Sequence, residues 1–161
     1  MEKPGQPDIL LKPLTEADSE AFYDLYALPQ LQQSFGGSPF LPGETPVDFT
    51  RRIIASCFYI RTIRASEAPE RIIGDCALHH HNPAESSVEI GGVLHPDYSG
   101  RSVMRKAFIL TISFAGQIPG CRMVRGITRK DNLQAIRLCE KLGFVKQASV
   151  KDEVVMIKFL P

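Results

Sequence analysis

Three strand-like runs follow one another in the middle of the chain without an intervening helix, and this feature constrains the fold most. They are rich in β-branched and apolar residues and comprise Phe58–Arg64, Arg71–His80 and Ser87–Leu94. Turns are predicted at 65–70 and at Asn82–Glu85, where Pro, Asn and charged residues cluster. Since short connections join antiparallel strands, the three runs predict an antiparallel meander.

Helical and strand patterns alternate around this meander. Four further strands are predicted, at Ile9–Leu14, Arg122–Thr128, Val145–Val150 and Val154–Leu160. Helices are predicted after the N-cap residue Thr15 and at Val47–Ser56, Ser102–Ala115 and Leu133–Leu142. Gly143 and Phe144 predict a Schellman end for the last helix, and Gln30–Pro46 is expected to be a short helix plus a mobile loop. This order predicts a mixed α/β (α+β) sandwich.

Length and composition predict one cytoplasmic domain over residues 1–161, with 1–8 as a flexible leader. The 19 Lys and Arg residues nearly balance the 18 Asp and Glu residues, so no basic field attracts nucleic acid. No apolar run reaches the roughly 18 residues that a membrane span needs. The cysteines lack a C-x-x-C pair and are expected to be reduced and buried; they are Cys57, Cys76, Cys121 and Cys139.

The stretch from Val88 to Ala107 joins a predicted strand to a predicted helix and is suited to hold a phosphate. Gly100 permits close approach of the backbone to a ligand. Arg101, Ser102 and Val103 would then offer unpaired N–H groups at the positive end of the helix. A glycine before a helix is more often a simple turn, and the Walker and dinucleotide patterns are absent from the sequence.

Five motifs in one order resemble the GNAT superfamily of N-acetyltransferases, in the branch that contains the ribosomal-protein N-terminal acetyltransferases. The motifs are Ile73-Gly-Asp with Asn82-Pro, Val88-Glu-Ile-Gly91, Pro96-Asp-Tyr-Ser-Gly-Arg, Asn132-Leu-Gln-Ala-Ile and Glu140-Lys-Leu-Gly-Phe144. The resemblance implies the GNAT acyl-CoA N-acyltransferase fold, a mostly antiparallel sheet of about seven strands flanked by about four helices. It also implies acetyl-CoA as the donor and a primary amine, on a protein N-terminus or a small molecule, as the acceptor.

The resemblance assigns cofactor-binding positions. In the family the acetyl-pantetheine arm lies between the splayed fourth and fifth strands, against backbone groups that correspond here to Val93, Leu94 and His95. Asn132 is expected both to cap its helix and to approach the same arm.

The family's pyrophosphate loop reads Gln/Arg-x-x-Gly-x-Gly/Ala, and the corresponding positions are Ser99, Gly100, Arg101, Ser102, Val103 and Met104. Ser99, Ser102 and Met104 depart from the pattern, whereas Gly100 and Arg101 conform to it. Backbone N–H groups do most of the binding in such a loop, so Ser102 is expected to serve if its φ is negative.

The resemblance also assigns two catalytic roles. Glu89 stands where many relatives carry a general base, and strand alternation places it on one face with Ser87, Gly91 and Val93. A solvated strand glutamate is the alternative. Cys139 stands where many relatives carry a Tyr that protonates the leaving thiolate; a buried structural thiol is the alternative.

The run His79-His-His81 suggests a metal site at first sight, but none is predicted. Neighbouring residues of a strand point to opposite faces, so only His79 and His81 are expected to share one, and no other ligand stands at suitable spacing. His79 is instead expected to lie beside Glu89 at the acceptor site, with Asp75 as a further acid on that face.

Together these patterns predict direct acetyl transfer from acetyl-CoA to an amine in a ternary complex, with an N–H near Val93 stabilising the oxyanion. The departures in the loop favour an alternative, a GNAT-fold protein that binds an acyl-CoA, another ligand or a protein partner without acetyl transfer. The sequence identifies neither the acceptor nor the oligomeric state, for which a homodimer is one alternative.

Overall fold

The computed structural model describes residues 6–161 and contains one seven-stranded sheet with helices on both faces. The strands are β1 (Ile9–Pro13), β2 (Cys57–Ala65), β3 (Gly74–Asn82), β4 (Ser87–Leu94), β5 (Met123–Arg129), β6 (Val145–Val150) and β7 (Glu153–Phe159). The helices are α1 (Ser19–Tyr26), α2 (Pro29–Phe35), α3 (Pro46–Ser56), α4 (Val103–Ala115) and α5 (Leu133–Lys141). The predicted mixed α/β fold is confirmed, with α2 as a fifth helix in the segment expected to hold a short helix and a loop.

The strand order is β1-β2-β3-β4-β5-β7-β6, and every neighbouring pair is antiparallel except β4 with β5. The predicted meander is therefore confirmed as β2, β3 and β4. Its third strand pairs with β5 in parallel because α4 carries the chain back across the sheet.

Local sequence signals explain where the helices begin and end. Thr15 and Asp18 form a capping box before α1, and the Thr45 hydroxyl accepts a hydrogen bond from the Asp48 N–H at 3.1 Å at the start of α3. The predicted Schellman motif is confirmed. Gly143 has φ +89°, its N–H bonds the Glu140 carbonyl, and the Phe144 N–H bonds the Cys139 carbonyl at 2.9 Å.

The sheet separates two hydrophobic layers. On one face, α4 and α5 pack on the main core, whose fully buried members include Leu78, Val88 and Val124. On the other face, α1 and α3 cover a smaller aromatic cluster built around Phe22 and Phe49. Because side chains alternate along β3 and β4, each strand contributes to both layers.

The strand predicted at Arg71–His80 is shifted in the structure. It begins only at Gly74, because the Arg71 N–H closes a turn with the Ala68 carbonyl at 3.1 Å, and it continues to Asn82 through an irregular register after His79. Within residues 6–161, no helix is both long and apolar enough to cross a bilayer.

Candidate active site

A gap opens between β4 and β5 because their parallel pairing is short. Only three residue pairs are in register, and the last joins Glu89 to Arg125. Beyond this point the two strands diverge, so that the backbone of β4 from Ile90 onward and that of β5 from Gly126 onward lie on opposite walls of the gap. Glu89 therefore lies at the vertex of a V-shaped opening.

Two cavities flank this opening. One, of about 330 Å³, lies against β4 and is lined by Gly91 and Val93. The other, of about 540 Å³, lies against β5 and is lined by Ile127 and Asn132. Phe35 of α2 lines both cavities, so the segment between α1 and α3 forms a shared wall. The sheet face that carries Glu89 is thus partly open, as the predicted catalytic role requires.

Glu89 faces the α1–α3 side of the sheet and its side chain is only 14% exposed. It pairs with His79 across the β3–β4 ladder, which confirms the predicted neighbourhood of the two residues. Its Oε2 atom lies 4.0 Å from His79 Nδ1 and also contacts Nδ1 of His80. Both histidines line the smaller cavity, so the Glu89 carboxylate lies one side chain away from it.

His79 and His81 were expected to point to one face of the sheet and His80 to the other, and near Glu89 this expectation is wrong. There the rings of His79 and His80 lie together. His80 has φ +49° and sits in the irregular segment after His79, which turns its ring toward Glu89. The His81 ring instead packs on Phe58, with centroids 4.8 Å apart. Alternation fails here because a bulge inserts extra backbone into one strand of the pair.

Two titratable groups on the same face of the sheet as Glu89, the His79 imidazole and the Asp75 carboxyl, have shifted pKa values. Burial lowers the pKa of His79, with Glu89 opposing the shift, so the neutral imidazole is favoured. Burial raises the pKa of Asp75 to about 7 despite hydrogen bonds from the Tyr26 hydroxyl, at 2.6 Å, and from the Val93 backbone. Asp75 and Tyr26 both line the smaller cavity.

The N–H groups of the three predicted pantetheine contacts, Val93, Leu94 and His95, point in different directions. The His95 N–H already donates to the Ile73 carbonyl at 2.7 Å, and the Val93 backbone bonds the Asp75 carboxyl. Both amides therefore point toward β3. Because successive amides alternate sides along a strand, the Leu94 N–H is the one directed toward the gap. The expected oxyanion donor near Val93 is thus better placed at Leu94.

The predicted phosphate loop has an unexpected backbone. Ser102 is the N-cap of α4 with φ +61°, so the negative φ on which its expected service in the loop depends is not present. The chain must turn sharply from the loop into α4, and it does so with left-handed residues at both Gly100 and Ser102. Serine in this region costs roughly 1 kcal/mol, whereas glycine adopts it freely.

The remaining loop residues differ in exposure. Val103 is buried and the Met104 side chain packs on the core near Gly92, so both side chains face away from the loop. Arg101 is exposed, with its guanidinium 5.6 Å from the ring centre of Tyr98. The Ser99 hydroxyl accepts a hydrogen bond from Gln134 of α5 at 2.7 Å, which links the loop to the helix that begins after Asn132.

Asn132 was expected to cap its helix and to approach the pantetheine arm, and the structure shows the first of these two roles directly. Its side-chain oxygen accepts a hydrogen bond from the Ala135 N–H at 3.2 Å, so the predicted N-cap is confirmed. It also lines the larger cavity on the β5 wall of the gap. A contact with the pantetheine arm is compatible with this position.

Cys139 lies apart from Glu89. It is buried in the main core, and its Sγ atom is 3.5 Å from the position of a Cβ on Gly126, which faces the α4 side. Burial raises the pKa of its thiol to about 11. The thiolate that proton donation would leave is therefore disfavoured, and the geometry favours the structural alternative.

Sequence reasoning missed two side chains at the gap. Tyr26 and Phe35 stack with centroids 5.4 Å apart and both line the smaller cavity. Tyr26 lies in the helix predicted after Thr15, and a buried tyrosine hydroxyl requires a polar partner, here Asp75. Phe35 lies in the segment Gln30–Pro46, for which only a short helix and a mobile loop are predicted.

Comparisons with known proteins agree with this architecture. The sequence matches the family described as acetyltransferase (GNAT) domain over residues 8–145. No curated protein matches the chain. The fold is similar to that of a spermidine N-acetyltransferase from Vibrio cholerae in complex with CoA and spermine, with a TM-score of 0.78, 16% identity and coverage of 94% of this chain and 95% of that one.

Two further solved structures show the same fold. An aminoglycoside acetyltransferase in complex with coenzyme A has a TM-score of 0.76 at 17% identity, covering 94% of this chain and 95% of that one. A ribosomal-protein-S5-alanine acetyltransferase from Vibrio fischeri has a TM-score of 0.75 at 15% identity, covering 94% of this chain and 92% of that one. With a family match that spans most of its length, the chain belongs to the GNAT family of acetyltransferases.

Proposed function

We propose that this protein is an N-acetyltransferase that moves the acetyl group of acetyl-CoA to a primary amine, with Glu89 as the general base. One observation carries the proposal: the β4–β5 pairing stops at Glu89 and Arg125 and leaves a gap with a cavity on each wall. Two of the structurally similar proteins were crystallised with CoA, which supports acetyl-CoA as co-substrate.

The loop before α4 supports a pyrophosphate site. The sign of φ alternates over Gly100, Arg101 and Ser102, since only the first and third are positive. Successive N–H groups in a loop with such alternating φ can face one concave side, where an anion binds. The N–H groups at the start of α4 and the side chain of Arg101 add positive potential. Ser102 thus reproduces the backbone that glycine would supply at that position.

The chemistry then follows from the positions around the vertex. A neutral amine attacks the thioester carbon, Glu89 takes the proton as the C–N bond forms, and the Leu94 N–H stabilises the oxyanion. Collapse of the intermediate breaks the C–S bond and releases CoA as the thiolate, which becomes the thiol by taking up the proton that Glu89 accepted, directly or through water. No covalent enzyme intermediate is needed.

The acceptor is proposed only as a class. The smaller cavity presents two aromatic rings, Tyr26 and Phe35, and the acid Asp75, which suits an amine. The structural relatives include a protein bound to spermine and one that acts on a ribosomal-protein alanine. From the sequence motifs we propose that the protein belongs to the branch of the ribosomal-protein N-terminal acetyltransferases. We also propose a cytoplasmic location and a homodimer.

A second candidate function is ligand or partner binding without acetyl transfer. It is favoured by the side chains that occupy the loop: Gln6 donates to the Ser102 hydroxyl at 3.3 Å, and Gln134 donates to that of Ser99. These contacts would have to coexist with a bound pyrophosphate or give way to it.

Thermal shift with acetyl-CoA separates the two functions. A ligand at 100 times its dissociation constant stabilises the folded state by about 2.7 kcal/mol, so a clear rise in Tm is expected. Release of CoA thiol with a panel of amines, including spermine and a peptide with a free N-terminal alanine, then identifies the acceptor. No shift at millimolar acetyl-CoA would contradict the enzyme proposal.

A further inference from the structure

Two histidines and one carboxylate lie together beside the gap, in an arrangement that resembles an incomplete set of metal ligands. One ligand atom each from His79, His80 and Glu89 lies within 4.8 Å of the others. The two Nδ1 atoms are 3.2 Å apart, and that of His79 is 4.0 Å from Glu89 Oε2. His80 Nδ1 contacts the same oxygen directly.

We propose that His79, His80 and Glu89 bind a divalent cation of the Zn²⁺ type. Zinc bonds to imidazole nitrogen and carboxylate oxygen are about 2.0–2.2 Å long, so neighbouring ligand atoms of a tetrahedral site lie roughly 3.3–3.5 Å apart. The separation of the two Nδ1 atoms already approaches this value. The Nδ1 atom of His79 must move slightly closer to Glu89 Oε2, and that of His80 must move away from it to make room for the ion.

The side chains have the freedom that these adjustments need. The His80 side chain is 74% exposed and its ring can rotate away from the carboxylate, whereas Glu89 is held at 14% exposure on the sheet. One coordination position remains on the solvent side of His80 and next to the smaller cavity, which both histidines line. A water molecule completes four-coordination there.

The bulge after His79 is what creates the site. In a regular strand, His79 and His80 would point to opposite faces, and only one of them could reach Glu89. The positive φ of His80, in a region that residues with a Cβ rarely adopt, brings both rings to one side. Backbone strain of this kind persists where surrounding structure enforces it and is concentrated at functional sites.

Charge and ligand type specify the class of ion. Imidazole and carboxylate together favour zinc and neighbouring transition metals over Mg²⁺ or Ca²⁺, which prefer oxygen ligands. Glu89 supplies the negative charge, and the two histidines supply the imidazole nitrogens. Arg125 lies opposite Glu89 in the β4–β5 register, but its guanidinium is turned to Glu85 at 3.4 Å.

Binding of the ion has a consequence that rests on the proposed acetyl transfer. A metal ion bound to Oε2 of Glu89 draws electron density from the carboxylate and lowers its basicity toward the proton of the amine. Metal binding therefore opposes general-base catalysis at Glu89, and a Zn²⁺-type ion inhibits turnover.

The test uses the full-length chain without a histidine tag, treated with a chelator and titrated with Zn²⁺ by calorimetry in the absence of acetyl-CoA. One ion per chain is expected. His80→Asn should weaken binding at least tenfold, since asparagine tolerates the left-handed backbone but lacks the imidazole. His81→Asn is the matched control and should bind Zn²⁺ as the parent does.

Two results of the titration would overturn the site: no stoichiometric binding by the parent, or equal losses in the His80 and His81 variants. These results do not depend on acetyl transfer, so they are separate from a failure of the proposed function. With an acceptor in hand, Zn²⁺ should inhibit the parent and spare the His80→Asn variant at the same concentration. Tight binding without inhibition would overturn the regulatory consequence alone.

Discussion

The two faces of the sheet use the same two strands for different purposes. On the α4 side, β3 and β4 contribute Cys76, Leu78, Val88 and Ile90, all of which are buried in the main core. On the α1–α3 side, the intervening residues include Asp75, His79 and Glu89, which lie beside cavities. Neighbouring residues in the sequence therefore differ in whether they serve stability or chemistry, and substitutions on the two faces should have different effects.

The largest expected effect is the loss of turnover in Glu89→Gln. Removing a general base lowers the rate by roughly 10²–10⁴-fold, and the affinity for acetyl-CoA should stay nearly unchanged because the loop and the gap walls are intact. Steady-state release of CoA thiol at neutral pH measures this. Glu85→Gln, on the exposed turn before β4, is the control and should retain the parental rate. Equal rates for the parent and the Glu89 variant would sink the proposed role.

Asp75→Asn tests whether the open face carries a buried charge. The folded-state pKa of Asp75 is raised from 3.8 to about 7, so the folded protein binds the proton more tightly than the unfolded chain. Its contribution to stability is therefore complete below about pH 4 and is lost as the pH rises to about 7. Each pKa unit corresponds to about 1.4 kcal/mol, which limits the loss to about 4 kcal/mol.

The asparagine carries no charge, and its side-chain oxygen can still accept the hydrogen bond from the Tyr26 hydroxyl. Urea unfolding at several pH values should show similar stabilities near pH 4 and a variant that is more stable than the parent at pH 8. Stability curves that stay parallel from pH 4 to pH 8 would mean that Asp75 is ionised without penalty in the folded state.

Adjacent glycines of β4 provide a direct comparison of the faces. A Cβ at Gly92 would lie 2.5 Å from the Asp75 carbonyl oxygen, a backbone atom that cannot move independently. Gly92→Ala should therefore lower the free energy of unfolding by about 1–3 kcal/mol. A Cβ at Gly91 would lie 3.1 Å from His79 Nε2, at the tip of a side chain that can shift, so Gly91→Ala should cost less than about 1 kcal/mol. Equal losses in urea unfolding would contradict the described register.

Cys139→Ser is expected to have the smallest effect on activity. The residue packs against Gly126 on the closed face, so turnover should stay near the parental value while burial of a hydroxyl lowers stability by about 1–3 kcal/mol. Turnover and urea unfolding are measured on the same sample. A large loss of turnover in a stably folded variant would support the role that the family resemblance implies for Cys139, which is to protonate the leaving thiolate.

Features that depend on local signals could be predicted from the sequence. Glycine at the end of α5 specifies a left-handed C′ residue, and the resulting Schellman bonds of Gly143 and Phe144 are present. Short turns fixed the antiparallel order of β2, β3 and β4, and alternation then placed Glu89 opposite His79. In each case a few neighbouring residues determine the geometry.

The features that could not be predicted depend on irregular or distant structure. The bulge at His80 breaks alternation where the register of β3 with both of its neighbours becomes irregular, and no local residue signals it. The left-handed Ser102 is enforced by the junction between loop and helix, against the preference of serine. The position of Phe35 beside the gap depends on how α2 packs, which its own sequence does not specify.

The most direct test of the account is to locate acetyl-CoA on the protein by two-dimensional NMR of the ¹⁵N-labelled chain. The account predicts amide shifts concentrated at Leu94, at Gly100–Val103 and at Asn132, with β6 and the outer surface of α3 unaffected. Saturable shifts confined to other regions, or none at millimolar acetyl-CoA, would contradict the claim that the gap between β4 and β5 is the acetyl-CoA site.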